Sequence, residues 1–100
     1  MDRHPLETIK KIDPGFFNKV AQDRDHAFKP GALPVKVKYL IGMALDAGHG
    51  AAGGVASLAR QAMEHGASKE EIMEALYIAD FISGVGTVYA ASQGLSEVFK

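Results

Sequence analysis

Apolar residues recur along this chain at intervals of three and four rather than in alternation, a pattern that predicts an all-α fold of five or six helices. The first, from about Pro5 to Ile12, is short and carries one apolar face through Leu6 and Ile9. Asp13 and Pro14 then offer an N-cap with a proline in the first turn, and Phe17, Val20 and Ala21 continue at helical spacing to about Phe28. The connector KPGALP, Lys29 to Pro34, forbids a continuous helix because two prolines and a glycine interrupt it. Next comes the most regular stripe in the chain: Val37, Leu40, Ile41, Ala44, Leu45 and Gly48 mark the face expected to be buried. Glycines between Gly48 and Gly54 break or bend the chain. Val55, Leu58, Ala59, Ala62 and Met63 form a second stripe ending at Gly66, a residue suited to the left-handed position after a helix. Ser68 and Glu71 have the spacing of a capping box and open a helix burying Ile72, Ala75, Leu76 and Ala79. Val88, Tyr89, Ser92, Leu95 and Phe99 mark the last helix.

Charge placement changes this picture. Between Tyr39 and Met63 the charged side chains are Asp46 and Arg60, and Phe81 to Ser96 has none. A monomer of 100 residues needs charge on the outward face of its helices, so these segments point to faces covered by other copies of the chain, the alternative being an ordinary core of tightly packed small residues. With 47% hydrophobic and 23% charged residues the composition is that of one small globular domain, residues 1–100, with 1–33 as a helical extension. The 11 basic and 12 acidic residues nearly balance, which gives no field for nucleic acid or an anionic membrane. No stretch reaches the roughly 20 apolar residues of a membrane span, and the start MDRHPLETIKK lacks the apolar segment of a secretory signal. A cytoplasmic location is the expectation. There is no cysteine, so neither a disulfide nor a thiol nucleophile is available.

The order Leu33-Pro34, then VKVKYLI, a glycine-rich helix start at Ala51, and Gly66-Ala67-Ser68 followed by Glu71-Ile72 resembles the carboxymuconolactone decarboxylase and alkylhydroperoxidase D superfamily. The resemblance covers roughly residues 33–95. It implies an oligomeric helical bundle, a trimer or hexamer. It also implies where the family's reactive groups would fall, and here each position holds a residue unable to do the same work. The two cysteines fall on Ala51 and Gly54, the histidines on Gly53 and Leu58, and the glutamate on Tyr39. Thiol peroxidation needs a sulfur able to reach the sulfenic state, and a shifted register cannot create one.

The remaining candidates lie at the same end of the frame. Tyr39, Asp46 and His49 share a helix face with Met43 and are the candidate catalytic residues; Asp46 and His49, at i and i+3, have the spacing to orient an imidazole. A histidine at a helix C-terminus is also favoured by the macrodipole alone. GHGAAG from Gly48 matches the dinucleotide fingerprint in letters, but it follows a helical rather than a strand pattern and is read as a turn. His4, His26 and His65 show no metal-ligand spacing. Neither metal nor cofactor is expected. The functional expectation is a cysteine-free family member that binds or transforms a small organic acid or lactone, a decarboxylase-like lyase if it is an enzyme. The alternative is a non-catalytic structural or regulatory oligomer in oxygen or peroxide detoxification, the role that homology would suggest.

Overall fold

The computed structural model describes residues 6–100. Among these lie six α-helices and no strand: α1 (Glu7–Ile12), α2 (Pro14–Phe28), α3 (Val35–Gly48), α4 (Ala52–Glu64), α5 (Lys69–Ser83) and α6 (Gly86–Leu95). Pro5, where the first helix was expected to begin, lies outside the described residues. Asp13 caps α2 as its sequence suggested, its Oδ1 accepting the Phe16 N–H at 3.1 Å. Neither α1 nor α2 buries a residue. The pair is tied to the remainder at the end of α2, where Phe28 stacks on Tyr39 with ring centroids 4.7 Å apart. Beside it, the Lys38 ammonium donates to the carbonyls of Ala27 and Lys29 at 3.0 and 2.6 Å, satisfying acceptors that the end of a helix leaves free.

The core belongs to α3 through α6. Met43 and Ala47 of α3, Val55 and Ala59 of α4, Ile72 and Leu76 of α5 and Ala91 of α6 form one cluster. Met43, Val55 and Ile72 are fully buried, each stabilising the fold by about 1.5–3 kcal/mol. Most other buried apolar residues are alanines, so the helices approach closely and glycine stands where they are closest. A Cβ on Gly94 of α6 would press on the Ala52 carbonyl oxygen and lie 2.9 Å from Val55 Cβ. One on Gly42 would lie 3.1 Å from Leu58 Cδ1, and one on Gly48 would lie 2.9 Å from Ser83 Oγ.

The stripe expected to be buried on α3 is not the face that the core uses. Met43 and Ala47 are inaccessible, whereas Ile41 is 45% and Leu45 60% exposed. Periodicity marks both faces as apolar, because Met43 and Ala47 form a second stripe, and it is these two that join Val55, Ala59, Ile72, Leu76 and Ala91 in the core cluster. The Ile41 and Leu45 side meets α5 across an open groove. α3 and α5 run parallel: Lys36 Nζ donates to Glu71 Oε2 at 3.0 Å near their N-termini, and Gly48 faces Ser83 at their C-termini.

Two turns share one construction. After α3, Gly50 takes φ +79°, with Ala51 N–H donating to Asp46 O and Gly50 N–H to Ala47 O. After α4, Gly66 takes φ +98°, with Ala67 N–H donating to Ala62 O and Gly66 N–H to Met63 O. Both are Schellman caps with glycine in the left-handed position and a histidine, His49 or His65, just before it. GHGAAG is therefore a helix stop followed by a helix start. The last helix ends at Leu95, four residues before Phe99, because Glu97 and Val98 N–H groups switch to carbonyls three residues back and Arg60 Nη2 takes the Glu97 carbonyl at 3.0 Å.

Replacing Gly94 with alanine should cost about 1–3 kcal/mol, since backbone and Cβ atoms are slow to yield. At roughly 4–8 °C per kcal/mol the loss is readable in a thermal melt. Gly53→Ala is the control: nothing lies within 4 Å of its added Cβ, and it should be neutral or stabilising by up to about 1 kcal/mol.

The Ser68 box also sets a pH dependence. Glu71 accepts the Ser68 backbone N–H at 2.9 Å, and with the Lys36 ammonium beside it this holds its carboxyl below the usual glutamate range. A depressed folded pKa stabilises the fold fully above the unfolded value, about 4.3, and that contribution is lost as pH falls through the lower folded value. Melts of the parent and Glu71→Gln should differ most at neutral pH and converge as pH falls below the lowered folded value.

Candidate ligand site

Tyr39, Asp46 and His49 do not meet at one point. Tyr39 and His49 are ten residues apart on one helix, about 15 Å along its axis. Tyr39 lies between α2 and the end of α4, stacked on Phe28 and tilted against the His65 ring at 5.2 Å. His65 in turn places Nδ1 2.9 Å from the Gln61 carbonyl, so this cluster is joined to α4 rather than open to a ligand. Met43, on the same face, is fully buried.

Asp46 is turned to the start of α4. Its carboxylate covers Gly54, where an added Cβ would lie 2.6 Å from Asp46 Cγ. A carboxylate over the first turn of a helix is stabilised by the positive end of the macrodipole. This contact explains one departure from the family pattern: the position that resembles the second cysteine must be glycine because Asp46 fills the space a side chain would need. Among the described residues no hydrogen bond joins Asp46 to His49.

His49 follows the last residue of α3 and is exposed. Its side chain lines the groove between α3 and α5, about 420 Å³ in volume. Val37, Ile41 and Leu45 form one wall, Ile78 and Ile82 the other, and alanines the floor; His49 and Ser83 are the two polar side chains lining it. Both stand at the end where α3 and α5 terminate, so the groove has an apolar length and one polar end. That end holds two helix C-termini, whose carbonyls disfavour an anion and favour a hydrogen-bond donor or cation. Ser83 was not singled out from the sequence. The available signal was the four-residue spacing that Ala79 and Ser83 share with Ala44 and Gly48, a relation that becomes a contact only when α3 and α5 are known to be parallel.

A parallel pair of helices around a short polar-ended groove, packed on an alanine-rich α4, defines a small all-α domain with no cysteine. The chain matches the carboxymuconolactone decarboxylase family over residues 14–97 and belongs to that family. The match takes in α2, which lies outside the frame of residues 33–95 legible in the motifs. No curated protein and no solved structure matches the chain. No helix is long and apolar enough to cross a membrane among the described residues.

Gly54→Ala should destabilise the protein by about 1–3 kcal/mol through the clash with Asp46. Adding Asp46→Ala should return part of that loss, because the remaining approach of Cβ to Cβ is 3.3 Å. A double-mutant cycle read by thermal or urea unfolding should give a coupling of about 1 kcal/mol or more.

Proposed function

We propose that this protein is a cysteine-free member of its family that binds a small organic acid or lactone in the groove between α3 and α5, working as a homo-oligomer. The observation that carries the reading is the pairing of His49 with Ser83 at one end of an otherwise apolar groove. Pockets for small molecules are mostly apolar with a few placed polar groups, and the imidazole and hydroxyl supply donors for a ligand oxygen. Of the two ligand classes, a neutral lactone carbonyl suits the site better than a carboxylate, because the polar end faces two helix C-termini. If chemistry occurs, the His49 imidazole is the groove's acid–base group, and the reaction would be a decarboxylase-like lyase step rather than thiol peroxidation. Tyr39 and Asp46 then support the scaffold around the site.

The second reading, a non-catalytic structural or regulatory oligomer in oxygen or peroxide defence, is favoured by the filling of the family's reactive position by Asp46 and by glycines. The two diverge in one experiment. Native mass spectrometry and calorimetry with a medium-chain γ-lactone and the matching carboxylic acid should show stoichiometric binding, tighter for the lactone. His49→Ala should weaken it about threefold to tenfold, the worth of one hydrogen bond. Equal binding by the parent and His49→Ala, or none by either ligand, would leave the non-catalytic reading standing.

A further inference from the structure

The side of α5 turned away from the groove carries a second cavity, which the proposed function does not use. It lies between α5 and α6, has a volume of about 520 Å³, and takes its apolar walls from Leu76, Val88 and Leu95. That volume falls within the range of small-molecule pockets. Tyr77 of α5 and Phe99, four residues past the end of α6, add two aromatic rings to the lining.

Asp80 is the single charged side chain lining this cavity, and the other polar side chains there are hydroxyls. Among the described residues its carboxylate has no ion-pair or hydrogen-bond partner. It stands in the last turn of α5, at the negative end of the macrodipole, and no basic residue of that turn offsets it. A bound cation would relieve this placement. Thr87, in the first turn of α6, lines the same cavity and is 2% exposed. Its hydroxyl has one protein partner, the Ala79 carbonyl at 3.5 Å, well beyond the roughly 2.7–2.8 Å usual for such a bond. A buried hydroxyl held this loosely keeps its lone pairs for a donor inside the cavity. The backbone N–H groups of Thr87, Val88 and Tyr89 that open α6 are committed to the Gly84 and Val85 carbonyls, so they are not free to hold an anion.

We infer that this cavity binds a primary amine with an aromatic or alkyl body, its ammonium held by the Asp80 carboxylate and the Thr87 hydroxyl and its body against Leu76, Leu95 and Phe99. A primary amine is charged at neutral pH, and an ammonium offers donors alone, the complement of a carboxylate beside a hydroxyl with free lone pairs. Aromatic faces attract a cation as well, so the Tyr77 and Phe99 rings suit the charged end of the ligand and its apolar body alike. The cavity shares α5 with the α3–α5 groove but none of its lining side chains. It therefore stands whether or not a lactone binds in that groove.

Calorimetry and amide NMR with phenethylamine, phenethyl alcohol and phenylacetate test this. The parent should bind the amine at one per chain, the alcohol about tenfold more weakly for want of the charged hydrogen bond, and phenylacetate not measurably. Shift changes on adding the amine should centre on Asp80, Thr87 and Leu95 rather than on His49 and Ser83. Asp80→Asn, an isosteric change at an exposed position, should weaken the amine about tenfold and leave the alcohol unchanged. Added salt should weaken amine binding by the parent and spare the alcohol. The amine should also raise the melting temperature of the parent but not of Asp80→Asn. Thr87→Val should weaken the amine about threefold; Thr87 is buried, so its fold is checked by a melt, and Asp80→Asn decides the matter if that variant unfolds. Absence of saturable amine binding, equal affinity for amine and alcohol, parental affinity in Asp80→Asn, or shifts confined to the α3–α5 groove would each overturn the site.

Discussion

Close approach of helices at small side chains is the constraint on which the rest of this structure depends. Ala56, Ala59 and Ala62 let α4 lie near its neighbours, and Gly94 brings α6 onto the Ala52 carbonyl and Val55. A core built this way is dense but thin. It hides few large side chains, so the leucines, isoleucines and aromatics that a small domain also carries remain outside it. The exposed wall of α3, the outward face of α5 and the groove between them are consequences of how little room the interior has.

The same economy of space governs the family's reactive position. In relatives carrying cysteines, a helix N-terminus lowers a thiol pKa and favours the thiolate. Here the N-terminus of α4 keeps its dipole, but the Asp46 carboxylate rests over Gly54 and takes the favourable interaction itself. Glycine at 54 and a carboxylate at 46 fit one another sterically. Polar character then survives one turn away, at His49 and Ser83, on the other side of α3.

Two histidine-glycine helix stops give the bundle its sharp corners, and they treat their histidines differently. His65 is held by the Gln61 carbonyl and the Tyr39 ring, which links α4 to the start of α3 and through Phe28 to α2. His49 has no such partner among the described residues and turns to the groove. Identical local sequence logic thus produces one histidine packed between helices and one exposed at the mouth of the groove, and the difference lies in what packs beside each turn.

Much of the fold was legible in the chain because its signals are local. The Asp13 cap, the Ser68 and Glu71 box, the stop at Gly66 and the breaks at KPGALP depend on neighbours within one or two turns, and the sequence determined them alone. It also determined the family and the absence of thiol chemistry, since no arrangement in space supplies a missing sulfur. What only the tertiary structure decided was which apolar stripe of α3 faces inward, and hence where the groove lies. Helical periodicity shows that a face is apolar but not which neighbour covers it, and α3 has two such faces. Parallel alignment of α3 with α5 left Tyr39 and Asp46 outside the groove and placed Ser83 and His49 along it, residues 34 positions apart that no local pattern brings together.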